Sequence, residues 1–87
     1  MNSIQEISKL INNINSDADV FNFLTEILTP AEVETLSKRW RILKMLSEGR
    51  TQRDIAKELN VSLCKVTRGS KILKDENAIV SKLIKEK

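Results

Sequence analysis

Lys65, Thr67, Arg68, Lys71 and Lys74 fall within one short stretch of an 87-residue chain. Ammonium and guanidinium groups at this density are suited to holding phosphates. Arg53, a little upstream, has the forked donor geometry that reads a guanine edge with two hydrogen bonds. Other chemistries are excluded by residue type. The chain has no His and a single Cys, Cys64, so one chain cannot build a zinc or transition-metal site of ordinary ligand composition. A His general base or a catalytic triad is excluded on the same count. Gly49 and Gly69 are the only glycines, too few for a phosphate-cradling loop. The carboxylates are scattered over helix caps and polar faces. The residues therefore point to binding, not to an enzyme. Cys64 cannot form an internal disulfide and reads as a small residue near the start of the basic stretch.

Two short helices must carry these groups. Thr51 can N-cap the first, with Asp54 three residues on as a capping-box-like partner. Ile55 and Leu59 share one face at i, i+4. Asn60 follows where a helix needs a left-handed terminal residue, a conformation that Asn tolerates. Val61 plugs the turn, and Ser62 is a good N-cap for the second helix. Leu63 and Val66 give the second helix a short apolar face, and the basic residues supply its polar surface. Small Ala56 suits a close helix crossing. This is the layout of a helix-turn-helix over residues 51–74, whose second helix enters the DNA major groove. The plainer alternative is a structural hairpin with a solvated lysine-rich face.

Charge favours the first reading. Residues 1–36 hold one base and six acids, net −5, whereas residues 37–87 hold fourteen bases and six acids, net +8. The second part is expected to face a polyanion. Membrane binding is disfavoured, because the basic stretch lacks a continuous apolar face with Trp or Phe. No apolar run reaches transmembrane length and the N-terminus lacks a signal-peptide core, so a cytoplasmic location is expected.

The rest of the chain also reads as helical, giving an all-α fold of six helices in one domain, residues 1–87. Ile4, Ile7, Leu10, Ile11 and Ile14 mark an amphipathic helix over 2–14. Asp17 can cap a second, apolar around much of its girth, with Val20, Phe21, Phe23, Leu24, Ile27 and Leu28. Thr29-Pro30-Ala31-Glu32 is a helix start with Thr at N-cap, Pro first and Glu three after the cap. That helix should stop at Gly49. Val33, Leu36, Trp40, Leu43 and Leu46 form one stripe on it; Ile42 and Met45 form a second. Two stripes need two partners, and in so short a chain one partner is expected to be a second subunit, with Trp40 as a core or interface anchor. Residues 1–48 would be the dimerisation core, and residues 78–87 a last helix.

The segments LTPAEVETLSKRWRIL, EGRTQRDIAKEL and TRGSKILK together resemble the Trp repressor family of bacteria, over roughly residues 24–75. The most specific piece is Thr67-Arg68-Gly69-Ser70 followed by Leu73-Lys74. The resemblance implies an intertwined homodimer of six-helix chains, with its two helix-turn-helix units on successive major grooves of operator DNA. It implies L-tryptophan as corepressor and no metal. Arg39 and Arg68 would sandwich the indole, as a flat guanidinium can. Arg68 and Thr29 would hold the carboxylate, and backbone carbonyls around Glu26 and Leu28 would take the ammonium. Gly69 would let the ring approach the backbone. Gln52, Arg53, Leu63, Cys64, Lys65, Thr67 and Lys74 would meet DNA. The chain departs from the family pattern at Ile72, at Glu26 and at the Cys64-Lys65 pair. Read by themselves, Arg39 and Arg68 also suit plain phosphate contacts.

The expected function is a dimeric transcriptional repressor of tryptophan-related genes that requires L-tryptophan. One alternative is a related DNA-binding regulator without tryptophan, separable by calorimetry. Another is a helical module that binds another protein and no DNA, excluded by a salt-dependent duplex shift.

Overall fold

A computed structural model describes residues 2–85; residues 86–87 of the last expected helix lie outside the described part. Among the described residues there are six α-helices and no strand: α1 (Ser3–Asn12), α2 (Asp17–Ile27), α3 (Pro30–Ser47), α4 (Gln52–Leu59), α5 (Leu63–Lys74) and α6 (Ile79–Lys85). The chain forms two compact units, residues 1–34 and residues 35–87.

In the first unit, local hydrogen bonds set the helix ends. Asn2 and Gln5 form a reciprocal capping box: the Gln5 amide donates to Asn2 Oδ1 at 2.9 Å and the Asn2 amide to Gln5 Oε1 at 3.0 Å. Ser16, not Asp17, caps α2, its Oγ accepting from the Asp19 amide at 3.0 Å. Asp17 instead lies in the first turn with Asp19, where the helix dipole favours negative charge. The start of α3 is as expected. Thr29 Oγ1 accepts from the Glu32 amide at 3.2 Å, and Glu32 Oε1 accepts from the Thr29 amide at 2.8 Å. Among its described residues the unit has no buried core. Neither α1 nor α2 contains a buried residue. Ile4 is 71% exposed and Phe21 65%.

In the second unit, Ile42 and Met45 of α3 pack with Ile55 and Leu59 of α4 and Val66 of α5. Leu46, Ala56 and Val61 pack against this cluster from its edge. The second apolar stripe of α3 thus finds its partner within the chain. The first does so only at its C-terminal end: Leu43 is buried, whereas Leu36 and Trp40 are exposed.

The ends of α3 and α4 close in the same way. Gly49, at φ 89°, ends α3 with the Gly49 amide donating to Leu46 O and the Arg50 amide to Met45 O, both at 3.1 Å. Asn60, at φ 54°, ends α4, and the Val61 amide donates to Ala56 O at 3.0 Å. These bonds satisfy carbonyls that a helix end leaves orphaned. At the end of α5 a side chain takes over. Ser81 of α6 is buried, and its hydroxyl lies 3.2 Å from Ile72 O and 3.5 Å from Leu73 O. This bond ties α6 to the helix that carries the basic residues.

Candidate DNA-reading surface and ligand pocket

The helix-turn-helix forms as the sequence dictates. Thr51 Oγ1 accepts from the Asp54 amide at 3.2 Å, and Ser62 Oγ from the Lys65 amide at 3.4 Å. Ile55 and Val66 are fully buried and hold α4 against α5. One expectation fails. Leu63 is not buried with Val66: it is 48% exposed at the first turn of α5. It stands three residues before Val66 and so near the same face, but in the first turn of α5, one residue past the Ser62 cap, where the core cluster of Ile42, Met45, Ile55, Leu59 and Val66 does not include it. An exposed leucine there is free to meet a ligand or a base edge.

The residues expected to meet DNA divide into two groups. Arg53, Leu63, Cys64, Lys65 and Lys74 are exposed. Gln52 and Thr67 are half-buried and bonded to each other, with Thr67 Oγ1 2.9 Å from Gln52 Oε1 and 3.0 Å from Leu63 O. This bond fixes the N-terminus of α4 to the middle of α5. It engages the Gln52 carbonyl and leaves the amide NH₂ as the donor for an outside acceptor such as a phosphate oxygen.

A pocket of about 230 Å³ lies between α3 and α5, lined by Arg39, Ile42 and Leu43 from the first and Lys65, Arg68, Gly69 and Ile72 from the second. The structure therefore brings together three of the residues expected at the corepressor, Arg39, Arg68 and Gly69. The other three belong to the first unit, at the joint of α2 and α3. Glu26 is in the last turn of α2, Leu28 is its C-cap, and Thr29 opens α3. Gly69 also has a packing role. A Cβ there would stand 3.0 Å from Ile42 Cγ2 and 3.4 Å from Leu46 Cδ1, so the missing side chain lets α5 lie close on α3.

Ile42, Leu43 and Lys65 were not foreseen as lining residues. Their signal was present as spacing. Arg39, Ile42 and Leu43 stand at i, i+3, i+4, and Lys65, Arg68, Gly69 and Ile72 at i, i+3, i+4, i+7, one face of each helix. That two such faces meet is not readable from either one. Chemically the pocket combines apolar side chains with three cations. That set suits a flat ring bearing a carboxylate, and its size suits one amino-acid side chain better than a larger ligand.

A larger cavity of about 540 Å³ opens in the same unit, beside Trp40, Leu46, Leu73, Ser81 and Ile84. Its charges are mixed, Glu48 standing with Lys44 and Lys85, and its walls include the exposed Trp40. Size favours this cavity; the convergence of guanidinium groups favours the smaller one as the ligand site.

Elsewhere on this unit, charge is spent on structure. Arg50 Nη2 donates to Glu58 Oε1 at 2.8 Å, and Arg41 stands 3.9 Å from the same carboxylate. The hydrogen bond and charge of Arg50 hold the Glu58 carboxyl below its ordinary range and raise the Arg50 guanidinium. Among the described residues there is no group of His, Cys, Asp and Glu able to hold a metal ion. No helix there is long and apolar enough to cross a membrane.

Six helices, with a turn of Asn60-Val61-Ser62 between α4 and an outward-facing basic α5, place the chain among the helix-turn-helix proteins. More narrowly, the chain belongs to the Trp repressor protein family, whose family model matches residues 2–87. This is a family of transcriptional regulators, not of enzymes, and a repressor role follows from membership. A Trp operon repressor homolog of Xylella fastidiosa is 36% identical over 76 residues, 86% of this chain and 83% of the relative. A Trp operon repressor homolog of Vibrio campbellii is 36% identical over 74 residues, 84% of this chain and 74% of the relative. No solved structure gives a significant match.

Proposed function

We propose that the protein is a homodimeric repressor that binds operator DNA of tryptophan biosynthesis or transport genes, in the cytoplasm, when L-tryptophan is bound. Residues 1–48 serve as the dimerisation core of a single 1–87 domain, residues 51–74 are the helix-turn-helix that reads DNA, and residues 78–87 are the C-terminal helix. The observation that carries the ligand reading is the pocket that Arg39 and Arg68 line together with Ile42, Leu43 and the bare Gly69. Arg68 belongs to α5, the helix that also presents Lys65 and Lys74, whereas Arg39 belongs to α3. A ligand held by both arginines couples the DNA-reading helix to the long core helix. It favours DNA binding only by binding better to the DNA-competent arrangement. By the family resemblance, Thr29 is a further carboxylate ligand and the carbonyls near Glu26 and Leu28 are ammonium ligands, since unpaired carbonyls at a helix C-terminus favour a cation.

On the DNA side, Arg53 reads a base edge. Gln52, Thr67 and Lys74 position the protein on phosphates, and Leu63, Cys64 and Lys65 meet the groove at the start of α5. An allosteric coupling of ~1–3 kcal/mol corresponds to about 5–150-fold in DNA affinity, and by reciprocity operator DNA tightens tryptophan binding by the same factor.

Duplex selection with and without L-tryptophan supplies the operator. Titration of that operator at fixed salt then tests the switch in wild type and Arg68→Lys. Lysine keeps the charge but loses the planar fork and stacking face, so the variant should lose most of the tryptophan response and keep salt-dependent DNA binding. Equal wild-type affinity with and without tryptophan would reject the corepressor reading. It would leave Arg39 and Arg68 as phosphate contacts and Ile72, which lines the pocket, as the residue that closed it to the amino acid.

A further inference from the structure

The pocket between α3 and α5 holds three cations and no anion. Arg39 comes from α3, and Lys65 and Arg68 come from successive turns of α5. Among the described residues none of the three is in an ion pair with a carboxylate; the arginine pairs of this unit converge on Glu58 instead. The remaining lining side chains, Ile42, Leu43 and Ile72, are apolar and offer no hydrogen-bond acceptor.

We propose that Lys65 is a ligand-contacting residue that makes this pocket discriminate by ligand net charge, favouring a carboxylate-bearing aromatic and penalising one that carries only an ammonium. The inference rests on reading the pocket as the ligand site. A lysine can lay its apolar stem along a pocket wall while its ammonium stays partly hydrated. Its field acts on whatever charge the ligand brings. An anion is attracted and a cation repelled, while in a zwitterion the two effects largely cancel. Removing the Lys65 charge therefore changes affinity according to ligand charge and not ligand shape. Lys65 differs in this from Arg39 and Arg68, whose flat guanidinium groups also contact the ring and so affect every aromatic ligand.

The test is calorimetric titration of the intact protein, without DNA, with three ligands that share the indole ring. These are indole-3-propionate (net charge −1), L-tryptophan (net 0) and tryptamine (net +1). Lys65→Gln keeps the stem and removes the charge; Lys65 is exposed, so an unchanged circular dichroism spectrum is expected. Lys71→Gln, on an exposed lysine of the same helix outside the pocket, is the control. For a unit charge a few ångströms away in a half-hydrated site, Lys65→Gln should weaken the anion roughly three- to tenfold, leave tryptophan within about twofold and strengthen the amine about threefold. Lys71→Gln should leave all three unchanged. A parallel shift of all three ligands by Lys65→Gln, or an equal charge-ordered shift by Lys71→Gln, would overturn the role of Lys65 while leaving the pocket as the ligand site. Failure of the wild type to bind any of the three would overturn the ligand-site reading itself, and this inference with it.

Discussion

Arg53 and Lys74 differ in what their positions allow. Arg53 is exposed in the first turn of α4, beside the Gln52–Thr67 bond that orients that turn, so its fork can be held at a base edge. Lys74 closes α5 as a point charge. Arg53→Ala should cost ~1–3 kcal/mol of operator binding and relax the base preference, as measured by competition among single-base operator variants. Lys74→Ala should weaken all sequences alike and lower the slope of log K against log salt by about 1. Glu58 makes a different prediction, in pH. Its carboxyl is held below the ordinary range, chiefly by the Arg50 hydrogen bond. A depressed carboxyl stabilises the fold above its unfolded pKa, and that contribution is lost as pH falls through the folded value. Glu58→Gln should thus be the less stable protein at neutral pH, and the two melting temperatures should converge on acidification through and below the carboxylate range. A gap that stays constant with pH would show that the Arg50–Glu58 pair does not act through charge.

Two helix ends control whether α5 is presented in one orientation. Asn60 holds the left-handed turn that sends the chain from α4 into α5. Alanine in that conformation costs about 1 kcal/mol, whereas glycine adopts it freely, so Asn60→Ala should lower the denaturation midpoint and Asn60→Gly should leave it nearly unchanged. At the other end of α5, the Ser81 hydroxyl serves the carbonyls of Ile72 and Leu73 from a buried position. Ser81→Ala should cost ~0.5–1.5 kcal/mol, the net worth of one hydrogen bond, and amide exchange should speed up in α6 more than in α4. Equal exchange in both helices would mean that α6 is held by its apolar contacts alone. Gly69 belongs to the same scale, because its bare Cα sets how closely α5 approaches α3 and hence the width of the pocket.

The whole chain buries six hydrophobic side chains among its described residues, all of them in residues 42–66. Ile4, Leu10, Phe21 and Ile27 are each more than half exposed in a unit whose described residues have no buried core. Burying side chains of this kind contributes ~1.5–3 kcal/mol each, a driving force that a second copy of the chain can supply. The thermal midpoint should therefore rise with protein concentration, as for a protein whose folding is linked to association. Sedimentation of a folded monomer at micromolar concentration would rule out the obligate dimer.

Much of the site was legible because it depends on neighbours in the chain. The caps at Thr29, Thr51 and Ser62, the left-handed Asn60 and the stop at Gly49 are fixed by bonds spanning three to five residues, and residue types with those preferences stand at those positions. The choice of Ser16 over Asp17 as the α2 cap was not legible, because both side chains can cap and one residue separates them. The inward face of α4 and the basic face of α5 follow from helical period. What period leaves open is which face meets which. The sequence offers two apolar stripes on α3, and only packing shows that Ile42 and Met45 take the hairpin while Leu36 and Trp40 stay exposed. Leu63 shares the face of Val66 by helical period, yet it is exposed because the core cluster reaches Val66 and not the first turn of α5. The family resemblance places Lys65 at DNA and its charge suits that; that it also lines the pocket with Arg39 and Arg68 follows only from the close crossing of α5 over α3, which the missing side chain at Gly69 permits. Local preference is a property of a few adjacent residues, so the chain itself determined where each helix starts and stops. A pocket is a property of two helices and the distance between them, so only the tertiary structure could decide it.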